Sequence, residues 1–216
     1  MNDSSRNRFP LYDPRFEHDA CGVGFVANIS GRKSHDLIRK GIQSVCNLTH
    51  RGAVAADTQT GDGAGLLTQL PTKLLLADVQ GLAEKIDSEK DLGVGMLFMP
   101  AADEDAYSLC RALVEHVITS RGFGFLGWRR LPIDLSVIGD SAALSAPNIQ
   151  QVLVKRPRHV SSAAFERMLF LSRKEIEKHI LKTDVKNFYV CSFSSRTIVY
   201  KGLMIATELD RFFPDL

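Results

Sequence analysis

A cysteine and two glycine-rich turns form the part of this sequence that is best equipped for chemistry. Cys21 begins an apolar run that is spaced by glycines, Arg51 and Gly52 lie in a first turn, and Asp62 and Gly63 lie in a second. The thiolate is the nucleophilic form of cysteine, and a nearby cation lowers the pKa of a thiol. We therefore predict a nucleophile site in which Cys21 is catalytic and the four other residues bind substrate or shape the site.

Each of these residues also has an ordinary structural interpretation. A cysteine in an apolar strand usually packs as a small hydrophobic residue, and an arginine such as Arg51 often caps the C terminus of a helix. The turn Thr60–Gly65 lacks the Lys and Ser/Thr of a phosphate-binding loop. We expect its glycines to allow a tight approach to the nucleophile strand, with Asp62 bonding to backbone amides, and Gly52 to adopt a backbone conformation that only glycine permits.

The elements that must position these residues follow from the hydrophobic pattern. Residues 21–29 predict a buried strand, and Asn28–Gly31 predicts a turn. Ser34 is a suitable N-cap for a helix that ends before Gly52, with apolar residues spaced at about 3.6 residues. A further strand is predicted at Leu66–Leu70. The catalytic cysteine would thus lie at the start of a strand, beside the end of a helix.

The rest of the chain alternates between helical and strand patterns, which predicts a mixed α/β or α+β domain. The pattern leaves open whether the strands are parallel. The predicted elements are a helix over residues 72–86 around Gly81, a strand over 93–99, a helix over 103–120, strands over 122–130 and 148–156, a helix over 162–182, and a hairpin of 187–193 and 197–201.

Composition and charge restrict the possible functions. With 216 residues, 44% of them hydrophobic, the chain fits one domain or an incomplete larger one. The net charge of +2 is too small to indicate binding to nucleic acid or to a membrane. The four cysteines have no metal-ligand spacing, and no secretory segment or membrane-spanning stretch is visible. We expect a cytoplasmic protein that acts on a small substrate and holds no metal or cofactor.

Four short motifs occur in order between Leu11 and Gly65, and together they resemble a known family. The chain is similar to the class II glutamine amidotransferase domain, and more narrowly to that of the glutamate synthase large subunit. The similarity continues more loosely through residues 147–152 and 200–203 to 213–216. The four motifs are Leu-Tyr-Asp-Pro-Arg-Phe-Glu-His-Asp-Ala, Cys-Gly-Val-Gly-Phe, His-Arg-Gly-Ala and Thr-Gly-Asp-Gly-Ala-Gly.

This resemblance implies a fold, a processing step and a reaction. The fold would be α+β, the four-layer αββα sandwich of the N-terminal nucleophile hydrolases. Residues 1–20 would be a propeptide or N-terminal arm, and residues 21–216 would belong to the amidotransferase domain. Cleavage before Cys21 would give that residue a free α-amino group as its own general base, since this amine titrates near the thiol. The substrate would be glutamine, hydrolysed through a thioester to glutamate and ammonia.

The match is incomplete at its C-terminal side. The family builds its oxyanion hole from an Asn-Gly pair and holds the substrate with an Arg-Tyr-Ser-Thr segment, and neither occurs in the 216 residues. We therefore expect a domain that is incomplete at the C terminus and inactive alone. Its partner would be the rest of the glutamate synthase polypeptide, which would carry FMN and an iron–sulfur cluster. The alternative is a free-standing, non-catalytic module, or the relic of a broken glutamate synthase gene, in which Cys21 is idle.

Overall fold

The structure is a computed structural model that describes residues 22–52, 54 and 60–216, with only the backbone of Arg51. The predicted N-terminal arm, residues 1–20, and the nucleophile Cys21 lie outside these residues. In the part of the chain that is described, no helix combines the length and the apolar character needed to cross a bilayer.

The described residues form short strands and amphipathic helices. The helices are α1 (His35–Asn47), α2 (Thr72–Asp78), α3 (Leu82–Lys85), α4 (Glu104–Ser120), α5 (Asp140–Leu144), α6 (Ser162–Ile180) and α7 (Leu209–Phe212). The strands are β1 (Ala64–Gln69), β2 (Leu92–Met99), β3 (Gly124–Arg130), β4 (Asn148–Lys155), β5 (Tyr189–Ser194) and β6 (Thr197–Gly202). Short 3₁₀ turns lie at Thr49–Arg51, Glu89–Asp91, Leu135–Val137 and Ala206–Glu208.

A four-stranded antiparallel sheet lies at the centre, in the order β3-β4-β2-β5. Because successive side chains of a strand point to opposite faces, β2 contributes Leu97 and Met99 to one side and Val94 and Met96 to the other. Helices α4 and α6 cover the first side through a buried cluster that includes Phe165. The apolar stripes predicted for these two helices are therefore confirmed, and they face the sheet.

A second antiparallel sheet, β1-β6, covers the other side. Ile198 and Tyr200 of β6 share one buried cluster with Val94 and Met96 of β2, so the two sheets enclose a common core. The ring of Phe213 packs edge-on against Tyr200 at a centroid distance of 5.3 Å, a geometry that stabilises aromatic pairs. The domain is therefore mixed α/β with antiparallel sheets. The sequence pattern leaves open whether the strands are parallel, and the structure shows that they are antiparallel.

Strands β5 and β6 do not form the predicted hairpin, because they belong to different sheets: β5 pairs with β2, and β6 pairs with β1. Serine hydroxyls of β5 accept hydrogen bonds from amides of β6, Ser194 Oγ from Thr197 at 3.1 Å and Ser192 Oγ from Val199 at 3.3 Å. These side chains take the place of backbone pairing. Glu166 of α6 holds the corner between the strands, since its Oε2 accepts from the Ser195 amide at 2.9 Å.

The predicted buried strand over residues 21–29 is also wrong within the described residues. Residues 22–28 have no regular secondary structure, and Val23, Phe25 and Ile29 are exposed to 90%, 94% and 107%. A strand needs a neighbour for its amides and carbonyls, and no described strand pairs with this segment. The following turn is confirmed, because the amide of Gly31 donates to the carbonyl of Asn28 at 2.9 Å.

The predicted helix over residues 72–86 is divided into α2 and α3. The break falls at Gly81, whose φ of 72° lies in the left-handed region that glycine adopts without strain. The other predicted elements are present with boundaries that shift by up to two residues.

Candidate functional site

A wide groove of about 1450 Å³ lies between residues 22–28, α1 and β1. It is lined by Gly22, Gly52, Asp62 and Gly63, so the structure brings three of the predicted site residues and the immediate neighbour of Cys21 to one surface. Cys21 itself is outside the described residues, and so is the side chain of Arg51. Their roles therefore stay predictions.

Helix α1 forms one wall of the groove and begins as predicted. The hydroxyl of Ser34 accepts a hydrogen bond from the amide of Leu37 at 3.3 Å, which caps the N terminus. Ile42 is buried, and Gly41 leaves room for Leu66, whose Cδ1 would lie 3.0 Å from a Cβ atom at that position. The helix is thereby fixed against β1 on the other wall.

The residue next to the predicted nucleophile lies at the end of α1. A Cβ atom on Gly22 would stand 3.1 Å from Leu48 Cδ1, so the backbone of Gly22 is in contact with the Leu48 side chain. Leu48 directly precedes the 3₁₀ turn Thr49–Arg51. The start of the segment 22–28 and the turn that carries Arg51 are therefore neighbours in space.

The 3₁₀ turn is held by local hydrogen bonds. The hydroxyl of Thr49 donates to the carbonyl of Cys46 at 2.6 Å, and His50 Nδ1 lies 3.1 Å from the carbonyl oxygen of Asn47. The expectation for Gly52 is wrong: its φ of −95° and ψ of 150° are open to any residue, and a Cβ atom would approach no described atom more closely than 3.7 Å.

The second glycine-rich turn is packed closely against other backbone, but not against residues 22–28, which follow Cys21. Cβ atoms on Gly61 and Gly65 would lie 2.7 Å from the carbonyl oxygen of Met204 and 2.8 Å from Lys201 Cβ. Gly63 has a φ of 133°, which L side chains rarely adopt. The expected tight approach is therefore made to β6 and the residues after it. This arrangement places Asp62 at the rim of the groove.

Cys46 also lies near the groove but has the properties of a structural residue. Its thiol donates to the carbonyl of Ala206 at 3.6 Å, which ties α1 to the 3₁₀ turn after β6. Burial raises the pKa of the Cys46 thiol above its ordinary value. A raised pKa lowers the thiolate fraction, which agrees with a structural role for Cys46.

A buried polar cluster beside the groove was not anticipated from the sequence. Arg129 donates to both carboxylate oxygens of Asp215, at 2.7 and 3.0 Å, and to Gln151 Oε1 at 2.9 Å. Its Nε donates to Asp78 at 2.5 Å. Burial alone would lower the pKa of Arg129, but the hydrogen bonds to Asp215 and Asp78 raise it above its ordinary value. The signal available in the sequence was a glutamine in the middle of the apolar strand β4.

Two atoms of this cluster are buried without a hydrogen bond to any described group, Gln151 Nε2 and the hydroxyl of Tyr200. Burial also raises the pKa of the Tyr200 hydroxyl. The cluster links β3, β4 and β6 to Asp215, which lines the groove. Its contacts fix the wall of the groove rather than offer a group for chemistry.

The described residues provide no metal site, since no three His, Cys, Asp or Glu side chains are placed to hold an ion. Their three cysteines, Cys46, Cys110 and Cys191, are unpaired thiols. They do not fit an iron–sulfur cluster, which requires several cysteine ligands around it.

Comparison with known proteins identifies the family and the relatives to which this chain is similar. The model of the class II glutamine amidotransferases matches residues 21–216. The chain is 41% identical over 205 residues to the NADPH glutamate synthase large chain of Azospirillum brasilense, and 37% identical over 207 residues to that of Bacillus subtilis; each match covers 95% of this chain. It is 38% identical over 200 residues, 93% of this chain, to ferredoxin-dependent glutamate synthase 2 of Synechocystis.

The chain covers 14%, 13% and 12% of the lengths of these three relatives. The family match begins at Cys21, the residue on which the sequence motifs centre, and it includes every other predicted site residue. On this evidence the chain belongs to the class II glutamine amidotransferases, and its relatives include large chains of glutamate synthases.

Proposed function

We propose that this chain is the glutaminase part of a glutamate synthase large subunit, with glutamine as its substrate. The observation that carries the proposal is the start of the family match at Cys21, which supports this residue as the first of the mature domain. Residues 1–20 would then be the propeptide or N-terminal arm, and residues 21–216 would belong to the amidotransferase domain.

In the proposed reaction, the α-amino group of Cys21 takes the proton of the thiol on the same residue. The thiolate attacks the side-chain amide carbon of glutamine, and the protonated amine returns the proton to the amide nitrogen, which leaves as ammonia. A thioester remains on Cys21. Water then hydrolyses the thioester, releases glutamate and restores the thiol.

The geometry of the groove supports the roles of the other residues. Gly22 contacts Leu48, directly before the turn that carries Arg51, so a guanidinium at that turn would be near the thiol. Its charge would favour the thiolate. Asp62 and Gly63 line the same groove and would shape it for glutamine. Gly52 has an ordinary backbone conformation, so its proposed contribution is the space left by its missing side chain.

We also propose that polypeptide beyond these 216 residues completes the domain. Helices α4 and α6, the four-stranded sheet and the β1-β6 sheet account for three layers of an αββα sandwich, and α1 beside β1 would belong to the fourth. Leu67 of β1 is 64% exposed, and the apolar residues 23, 25 and 29 are almost fully exposed, which supports further packing at this side.

The same polypeptide would supply the oxyanion hole. No Asn-Gly pair occurs in the sequence, and loss of a single oxyanion donor costs about 10²- to 10³-fold in kcat. We therefore propose that the chain alone has negligible glutaminase activity. FMN and the iron–sulfur cluster would be bound by other parts of the parent protein; the described residues offer no ligand set for a metal cluster. A reducing, cytoplasmic compartment agrees with the three free thiols.

The direct test uses the purified 216-residue chain and its Cys21→Ala variant. Intact mass should show the loss of residues 1–20 if processing occurs in this chain, and iodoacetamide, a small thiol reagent that needs no substrate-binding segment, should then modify Cys21 faster than Cys46, whose thiol pKa is raised by burial. Glutamine hydrolysis should be negligible for both proteins. Rapid hydrolysis that Cys21→Ala abolishes would disprove the need for further polypeptide, and modification of Cys21 no faster than that of Cys46 in the processed chain would count against the nucleophile.

The coding sequence after codon 216 separates this function from the free-standing module or gene relic. A reading frame that continues into the substrate-binding and Asn-Gly segments supports the glutaminase. A stop codon at that place supports the non-catalytic alternative.

A further inference from the structure

Helix α6 presents an unusual row of side chains to solvent. Its inner face, including Phe165, Leu169 and Ile176, is buried against the four-stranded sheet. Its outermost residues recur every three or four positions and are exposed. We call this row the outer stripe; it consists of Arg167, Phe170, Leu171, Lys174, Lys178 and Lys182, the last directly beyond the helix.

The outer stripe combines apolar and positive side chains and contains no carboxylate. Phe170 is 54% exposed and Leu171 is 44% exposed, and they are adjacent on the helix surface. Single exposed apolar residues are common on proteins. Here the two lie side by side among four cations, which is the composition of a protein interface with an electrostatic rim rather than of a solvated helix with alternating charges.

The neighbouring acidic residues are already paired and neutralise one cation of the stripe, Lys174. Glu177 accepts from Arg173 and from Lys174, both at 2.8 Å, and Glu175 accepts from Arg121 at 2.6 Å. Among the described residues, no carboxylate forms an ion pair with Arg167, Lys178 or Lys182. The stripe therefore retains a positive charge that would complement a row of carboxylates.

The helix dipole explains only part of this pattern. Cations near a helix C terminus stabilise it by about 0.3–1 kcal/mol, which accounts for Lys178 and Lys182. Arg167 and Lys174 lie in the interior of α6, beyond the first and last turns in which the dipole acts. Lys174 pairs with Glu177, so Arg167 is the stripe cation for which neither the dipole nor an ion pair among the described residues accounts.

A shallow depression of about 400 Å³ adjoins the stripe between α6 and the end of α4. Leu171 lies at this depression with three lysines, and it is also lined by Glu175, Arg121 and His179. Because Glu175 is paired with Arg121, the lysines around Leu171 offer a place for an acidic side chain with an aliphatic stem. The residues that contribute most to binding at protein interfaces usually bind in recesses of this kind.

We propose that the outer stripe docks an acidic amphipathic helix of a partner protein. The stripe extends over about four helical turns, roughly 20 Å. Its lysines at positions 174 and 178 are about one turn apart on α6, a spacing that matches carboxylates at i and i+4 on a partner helix. A membrane surface fits less well, because the wide apolar face of α6 is buried in the domain. A nucleic acid fits less well because the stripe offers a single aromatic ring for stacking.

The test measures binding of a fluorescent, 18-residue synthetic helix to the 216-residue chain by anisotropy. The peptide carries a row of Leu residues flanked by Glu at i and i+4, and a scrambled peptide of the same composition is the reference. We expect the patterned peptide to bind at least tenfold more tightly than the scrambled one, with an affinity that falls as salt is added.

Reversing the charge of two stripe residues tests whether the peptide binds at the outer stripe. The double variant Lys178→Glu/Lys182→Glu should bind the patterned peptide at least tenfold more weakly. The variant Lys85→Glu/Lys90→Glu, which makes an equal charge change at exposed positions elsewhere, should bind that peptide with unchanged affinity. Unchanged urea midpoints establish that both variants fold.

Four results would overturn the proposal. They are equal affinity for both peptides, equal weakening by both double variants, binding of anionic vesicles or duplex DNA without binding of the peptide, and self-association of the chain that Lys178→Glu/Lys182→Glu abolishes. The inference is independent of the glutaminase function, because the outer stripe lies on the opposite side of the central sheet from the groove.

Discussion

The backbone of Gly61 lies against the main chain of Met204, so closely that a Cβ atom on Gly61 would stand 2.7 Å from the Met204 carbonyl oxygen and 2.9 Å from the Ile205 nitrogen. The neighbouring pairing of Val54 with Gly61 closes the loop between the two glycine-rich turns. The next residue, Asp62, lines the groove.

Gly61→Ala should therefore destabilise the domain. The added methyl group meets backbone atoms, which cannot rotate away, and overpacking of this kind costs about 1–3 kcal/mol. Urea denaturation followed by circular dichroism measures the loss. Gly24→Ala is the matched control, since a Cβ atom there has no described atom within 4 Å. Equal stability of the two variants would show that the Gly61 contact is not maintained.

Asp215→Asn should be strongly destabilising. Arg129 keeps its charge but loses one of its two charged partners in a site where both side chains are at most 7% exposed. Breaking a buried ion pair costs about 3–5 kcal/mol. The measurement is the free energy of unfolding in urea, with Asp36→Asn as the control, because Asp36 pairs with Lys40 on the exposed surface of α1. A small effect of Asp215→Asn would mean that Asp78 and Gln151 suffice for Arg129.

Tyr200→Phe should leave stability nearly unchanged. The Tyr200 hydroxyl is buried without a hydrogen bond to a described group, so its removal loses no such bond and relieves a desolvated polar atom. The expected change in the free energy of unfolding is within about 1 kcal/mol, and it can favour the variant. A loss larger than about 2 kcal/mol would indicate a partner, such as a bound water molecule.

Alkaline pH should weaken the fold through Cys110. Burial raises the pKa of this thiol to about 11, from an ordinary value of 9.0. Above pH 9 the unfolded chain loses the thiol proton while the folded chain keeps it, so stability falls as pH rises from 9 to 11, by about 2 kcal/mol for this group.

Unfolding in urea at pH 8, 9, 10 and 11 tests this expectation. Cys110→Ala should have a shallower decline with pH, whereas Val114→Ala, a truncation in the same buried cluster, should decline like the unaltered chain, because it removes no titrating group. Parallel curves for Cys110→Ala and the unaltered chain would contradict the role of the thiol.

The sequence predicted those helices and strands whose own apolar residues show which side is buried. The periodic apolar residues of α1, α4 and α6 are present, and so are the strands β2 and β4, which are buried along nearly their whole length. The partners of strands were not predictable in this way. β5 and β6 are close in the chain and look like a hairpin, but serine hydroxyls at positions 192 and 194 replace the backbone bonds that would have paired them.

The candidate site was predictable to a similar degree. The motifs placed Arg51 near Cys21 through a special backbone at Gly52, but that backbone is ordinary, and the contact between Gly22 and Leu48 is what brings the two segments together. The motifs did not indicate that the second glycine-rich turn contacts the residues around Met204, since that contact joins distant parts of the chain. The Arg129–Asp215 pair was missed for the same reason.

The separation of β5 and β6 into two sheets has a consequence for folding. β6 must find β1, from which it is far away in sequence, while β5 adds to the edge of the central sheet, and Glu166 fastens the corner between them to α6. The short segment between β5 and β6 therefore couples the formation of the two sheets. Long-range strand pairing of this kind slows folding, and we expect both sheets to form in a single slow step and to unfold together as one cooperative unit.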